Sequence, residues 1–271
     1  MQKYVFYSDL QNNSYLCTLK MHRFALIGRR LGHSYSQRWF EAKFKDLGLT
    51  DCTYVLHEME TLAGLRQWVE RDGIEGFNVT VPYKQEIIPL LDGLDEAAAA
   101  IGAVNCVTVR HGRLVGHNTD APAFRQSLEN TGWQVQQAFV LGTGGAARAV
   151  AYALDRMHIP YRFVSRHPDR HPDAISYSQL TQLAQPLSHS ASLLIVNATP
   201  VGMYPDVDAT PLNLSAFNYQ LSTVHVYDLT YNPSPTRLMR DAASRGATVN
   251  DGLEMLHRQA ELSWTLFSSN T

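Results

Sequence analysis

Residues 139–149 read FVLGTGGAARA, an apolar run that enters Gly142, Gly144 and Gly145 and leaves through small residues. The spacing is G-x-G-x-x-A, with Ala147 in the third small position. A glycine at the first position permits a tight turn, and one at the second lets backbone approach a pyrophosphate. A helix opening there directs free N–H groups and the positive end of its dipole at that anion. The implied chemistry is dinucleotide binding, with Gly142, Gly144, Gly145 and Ala146 at the phosphates. NAD-binding chains carry an Asp or Glu about 20 residues further on, against the ribose hydroxyl. Here the next apolar run ends Phe163-Val164-Ser165-Arg166, with no acid at that end. Arg166 and Arg170 flank a proline-bearing loop instead. Guanidinium forks match a 2'-phosphate, so the expected cofactor is NADP, with Ser165, Arg166 and Arg170 around its adenosine end. His167 and His171 share that loop, but their spacing converges only on a helix, which Pro168 and Pro172 oppose. They read as surface histidines, and no metal is expected.

A second set of polar strings lies earlier in the chain: GRRLGHSYS (28–36), NVTVPYK (78–84), AIGAVN (100–105) and HNTD (117–120). Each stands at the end of a strand-like segment, where open parallel sheets bind their ligands.

The elements that must position these groups follow from hydrophobic periodicity. Strands are expected at 24–28, 52–57 and 76–81, with a hairpin over 103–116 turning at His111-Gly112. Helices are expected over Trp39–Leu47, over Leu62–Val69 before the stop at Gly73, and over 95–101. The alternation restarts after residue 120, with strands at 137–141, 161–165, 192–196 and 223–228. A last helix spans 252–267, with Leu253, Leu256, Ala260 and Trp264 on one face. Such alternation predicts an α/β protein. The restart after residue 120 suits two domains with open, mostly parallel sheets, the second of them a Rossmann NADP-binding domain.

Composition sets the outer limits. With 271 residues, 45% of them hydrophobic, the chain can bury a full core, and a net charge of -2 gives no electrostatic footprint for nucleic acid. No apolar run approaches the roughly 20 residues needed to span a membrane. Cys17, Cys52 and Cys106 are odd in number and widely spaced, which argues against a disulfide framework and for a reducing, cytoplasmic setting. The expected partner is a small molecule, with the chain a monomer or homodimer. Residues 1–20 show no amphipathic period and carry the turn-like Gln11-Asn12-Asn13-Ser14, so they read as an extension outside the catalytic fold, with Met21 a candidate natural start.

Taken with LGTGGAAR (141–148), VNATPVGM (196–203), YDLTYNPSPT (227–236) and DGLEMLHRQA (251–260), these strings resemble the shikimate dehydrogenase family over nearly the whole chain from residue 22. The resemblance implies NADPH-dependent reduction of 3-dehydroshikimate to shikimate. It implies a substrate domain from 21–119 plus 252–271 and a Rossmann domain from 120–251, closing on each other about crossings near Asp120 and Gly252. Lys84 and Asp120 would be the catalytic pair. Ser34 and Ser36 would hold the substrate carboxylate, and Thr80, Asn105, Tyr231 and Gln259 its ring and hydroxyls. Thr199, Leu229 and Gly252 would join the cofactor site. The sequence departs from the family pattern at Arg30 and Gln37, where prolines are usual, and at Ala121-Pro122-Ala123, where glycines are usual. It also ends soon after Gln259, without the final helix of many members.

The residue types fit these roles without compelling them. Reduction of a ketone develops an alkoxide that needs a positioned proton donor, and a lysine paired with a carboxylate can serve. On residue type alone, the better readings are a solvated helix-start lysine for Lys84 and a helix cap for Asp120. Ser34 and Ser36 alternate, so both hydroxyls face one side if the segment is extended; otherwise they simply begin a helix. No lysine has a tyrosine four residues before it, which disfavours a short-chain dehydrogenase. A quinate or dual-specificity enzyme of the same family, and a catalytically silent nucleotide sensor, remain as alternatives.

Overall fold

The computed structural model describes residues 21–32, 34–171, 173–183, 192–217 and 221–269. The proposed extension 1–20 lies outside them. The chain runs β1 (His22–Gly28), α1 (Ser36–Asp46), β2 (Cys52–Glu58), α2 (Leu65–Asp72), β3 (Ile74–Val79), α3 (Tyr83–Glu86), β4 (Gly93–Leu94), α4 (Glu96–Ile101), β5 (Cys106–Arg110) and β6 (Arg113–His117). It continues through α5 (Asp120–Asn130), β7 (Gln137–Leu141), α6 (Gly145–Arg156), β8 (Tyr161–Val164), β9 (Ala174–Ile175), α7 (Tyr177–Leu183) and β10 (Leu193–Asn197). Then follow β11 (Val224–Asp228), α8 (Arg237–Ala243), β12 (Thr248–Asn250) and α9 (Leu253–Ser268).

Two six-stranded sheets form. The first has the order β2-β1-β3-β5-β6-β4. Its β1–β2, β1–β3 and β4–β6 pairs are parallel, and the β5–β6 hairpin joins β3 antiparallel. The hairpin turns at His111 and Gly112, both at positive φ, as their position in the sequence suggested. The second sheet has the order β12-β11-β10-β7-β8-β9 and is parallel throughout. Counted from β7, that is the doubly wound order 3-2-1-4-5-6, whose reversal point lies between β7 and β10.

Helices α5 and α9 link the halves. Ser127 on α5 bonds the Tyr227 hydroxyl of β11 at 2.6 Å, and Arg258 on α9 reaches Gln126 on α5 at 3.1 Å. The far end of α9 returns to the first sheet, where Phe267 stacks on Phe24 with ring centroids 5.1 Å apart. Gly76 on β3 makes room for that ring, because a Cβ there would overlap it.

Two expectations need correction. The α9 face does not include Leu253, which is 40% exposed; the buried residues are Met255, Ala260, Ser263, Trp264 and Phe267. The buried stripe starts at Met255, two residues later than periodicity indicated. The third strand ends at Val79 rather than residue 81. Thr80 N–H still bonds the Ile27 carbonyl, but Thr80 carbonyl already accepts from Tyr83 as the chain turns into α3.

Candidate active site

The glycine loop behaves as its spacing requires. Gly142 has φ 101°, closed to most side chains. A Cβ there would also press on Thr199 Cγ2 at 3.1 Å, so Thr199 from the end of β10 lies against the turn. Thr199 is itself held by its hydroxyl on Asn197 Oδ1 at 2.7 Å. Gly144 precedes the first turn of α6 in extended conformation, and no atom lies within 4 Å of where its Cβ would be. The N–H groups of Gly145 and Ala146 open that helix. Leu229 and Gly252 are also brought together: a Cβ on Gly252 would collide with the Leu229 carbonyl. These groups line the carboxyl ends of β7, β10 and β11, a cradle suited to a dinucleotide.

Ser165, Arg166 and Arg170 stand at the end of β8. Ser165 Oγ accepts the His167 N–H at 3.0 Å, and both arginines are exposed. Burial raises the Tyr177 hydroxyl's pKa, and the nearby Arg166 charge opposes that rise. Among the described residues no group of three His, Cys, Asp or Glu side chains converges as a metal site.

Lys84 and Asp120 form an ion pair at 2.6 Å, with side chains 16% and 6% exposed. Lys84 lies in the single turn of α3, and its carbonyl accepts the Val104 N–H at 2.7 Å. Asp120 is the first residue of α5, with Thr119 rather than itself in the capping position. Both amide hydrogens of Asn105 are engaged, one on Asp120 Oδ1 and one on Thr119 Oγ1, each at 2.8 Å. Asn105 Oδ1 accepts the Thr119 N–H at 2.7 Å. Asn105 is 2% exposed, so in this geometry it orients Asp120. The glycine loop abuts the pair: a Cβ on Gly145 would lie 2.9 Å from Lys84 Cβ and 3.3 Å from Ala103 Cβ. The start of α6 and the ion pair therefore lie side by side.

The remaining candidates have contacts of their own. Thr80 approaches Gly28 so closely that a Cβ there would overlap its methyl. Tyr231 reaches across from the second sheet and meets the Tyr35 ring edge-on at 5.3 Å. Its hydroxyl's pKa is raised by burial. Gln259 bonds its own helix at the Leu256 carbonyl, 3.0 Å away. Of the two readings left open for Ser34 and Ser36, an extended segment or the start of a helix, the structure has the second. Tyr35 takes a helical conformation, Ser36 begins α1 and is buried, and Ser34 Oγ accepts the Ser36 N–H at 3.3 Å. The start of α1 dictates this, because its first turn draws Tyr35 into helical φ/ψ.

Sequence reasoning missed Asn78, Thr119 and Ser263, which join Asn105 in one buried polar cluster. Asn78 and Thr119 lay within noted motifs, while Ser263 carried no local signal.

An all-parallel sheet in the doubly wound order, with a glycine turn at its reversal point and a lysine–carboxylate pair beside it, defines a two-domain α/β protein of the nucleotide-dependent oxidoreductase type. A profile of the shikimate dehydrogenase substrate binding domain matches residues 26–107. The shikimate dehydrogenase (NADP(+)) of Shouchella clausii is 39% identical over 258 residues, covering 90% of this chain and 92% of that protein. The crystal structure of shikimate 5-dehydrogenase from Thermus thermophilus in complex with NADP(H) and shikimate superposes with a TM-score of 0.80 at 34% identity, covering 92% of this chain and 94% of that one. Shikimate dehydrogenase 1 from Peptoclostridium difficile gives 0.80 at 32% identity, with 92% of each chain covered. The chain belongs to the shikimate dehydrogenase family.

Proposed function

We propose that this protein catalyses the reversible NADPH-dependent reduction of 3-dehydroshikimate to shikimate. The observation that carries the reading is the Lys84–Asp120 pair lying against the first turn of the glycine-loop helix. NADPH, when bound, supplies the hydride. The N–H groups at the start of α6 would hold its pyrophosphate, and Arg166 and Arg170 its 2'-phosphate. Thr199, Leu229 and Gly252 would complete its binding surface. Lys84 Nζ lies where it can give a proton to the developing alkoxide or take one from the hydroxyl in reverse. Asp120 holds that ammonium through Oδ2 while Asn105 fixes its other oxygen. Ser34 and Ser36 bind the substrate carboxylate at the α1 N-terminus, where the helix dipole assists. Thr80, Tyr231 and Gln259 border the ring.

The domain assignment proposed is 21–119 with 252–271 for the substrate and 120–251 for the cofactor. The protein acts in the cytoplasm as a monomer or homodimer on a small carboxylate. No helix among the described residues is long and apolar enough to cross a membrane.

NADPH oxidation by the purified protein with 3-dehydroshikimate tests the reading, with shikimate and quinate as reverse substrates. Turnover with shikimate and NADP exceeding that with quinate or NAD is the expected result. Absence of turnover with either acid would overturn it.

A further inference from the structure

Ser263 lies in the interior of α9 and is fully buried. A hydroxyl in that position is costly unless bonded. Its Oγ donates to the Gln259 carbonyl one turn back at 2.8 Å and accepts from Asn78 Nδ2 at 2.8 Å. It also lies 3.2 Å from Thr119 Oγ1. Bonding to the carbonyl four residues back is routine for a helical serine. The other two contacts are not local, and they reach β3 and the cap of α5.

The hydrogens in this cluster can be assigned. A serine hydroxyl has one hydrogen, and that of Ser263 is on the Gln259 carbonyl. Thr119 must then donate to Ser263. Its own oxygen is left to accept from Asn105 Nδ2, whose second hydrogen goes to Asp120 Oδ1. On the far side, Asn78 donates to the Asn105 carbonyl at 3.1 Å and accepts from the Tyr54 hydroxyl at 2.9 Å. A connected chain of hydrogen bonds therefore joins Asp120, Asn105, Thr119 and Ser263, with Asn105 donating toward both ends.

We infer that Ser263 is a positioning residue for the Lys84–Asp120 pair, an inference that rests on the reading of that pair as the reacting groups. Through Thr119 and Asn105 it holds the Asp120 carboxylate in the orientation that meets Lys84, and it ties that orientation to the docking of α9. The same hydroxyl anchors the backbone of Gln259, so one atom sets the register between the catalytic pair and a substrate-facing helix. Without it the Thr119 hydroxyl loses its acceptor and is free to turn, and Asn105 loses a fixed partner.

The test compares the full-length wild type with Ser263→Ala, Thr119→Val, the double variant, Thr119→Ser and Lys84→Ala. Steady-state kcat, KM for shikimate and NADP, and the thermal midpoint are measured for each. The Thr119 side chain makes no capping bond of its own, so its variants leave the helix start intact. Ser263→Ala and Thr119→Val should each lower kcat about tenfold, as expected when a reacting group is loosened by a fraction of an ångström, with KM for NADP nearly unchanged. The double variant should be no slower than Thr119→Val, because both remove one chain. Thr119→Ser should restore most of the rate. A folded Ser263→Ala with wild-type kcat, beside an inactive Lys84→Ala, would overturn the positioning role alone. Losses that multiply in the double variant would also overturn it. If Ser263→Ala does not fold, equal rates for Thr119→Val and Thr119→Ser decide against the inference. A fully active Lys84→Ala would remove the pair itself, and the inference with it.

Discussion

The two halves of the proposed site would recognise their ligands by different means. The cofactor half uses backbone: Gly142 to Gly145 make the turn, expose N–H groups and keep side chains out of the way. The proposed substrate half would rely on side chains from separate parts of the chain, Thr80 to Gln259. A pyrophosphate is a diffuse anion that oriented amides and a helix end can satisfy. Ring hydroxyls and a moving proton need directional donors held in place by other groups. The first kind of site fails when an atom is added, and the second when one is removed.

The largest effect should come from removal in the second half. Lys84→Ala should lower kcat by about 10²–10⁴ while the dissociation constant for NADPH, read by fluorescence titration, stays near that of the wild type. A folded variant with near-normal kcat would break the distinction between the halves.

Addition in the first half comes next. Gly145→Ala places a Cβ 2.9 Å from Lys84 Cβ, so it should push the α6 N-terminus and the pair apart. KM for NADPH should rise and kcat fall together, by about ten- to a hundredfold. A change in KM alone would mean that the two sites are less tightly joined than their contact implies.

Arg166→Ala with Arg170→Ala sharpens the comparison from the exposed side. Each guanidinium offers charge-assisted bonds to a phosphate, so KM for NADPH should rise about tenfold or more, with NADH little affected. Equal losses with both cofactors would show that these side chains do not read the 2'-phosphate.

The smallest effect is expected from a chain starting at Met21, which should keep kcat/KM within about twofold, because every residue proposed for the site lies downstream of it. Unfolding or loss of activity on truncation would place residues 1–20 within the fold.

Legibility followed the range of the interactions. FALIG, QAFVL and LLIVN announced buried strands because each is an apolar run of several residues, and the glycine turn was visible because all its determinants lie within a few positions. Strands β4, β9 and β12 went unseen. Each is only two or three residues long, too short to display a period, and each exists because a neighbouring strand offers its edge. Ser34 and Ser36 were visible as candidates, but their conformation was decided by where α1 begins.

By itself the sequence determined the alternation of elements, the phosphate-binding turn, the absence of an acid after β8 and the presence of Lys84 and Asp120 at strand ends. These are statements about neighbours along the chain, where propensity, spacing and residue chemistry operate directly. Only the tertiary structure decided that Lys84 meets Asp120 across 36 positions, that Gly145 packs on Lys84, and that Ser263 completes the bonding of Thr119 across 144. Those contacts depend on how the helices dock on two sheets. A buried donor can take any acceptor that docking brings within reach, and nothing in local spacing says which one it will be.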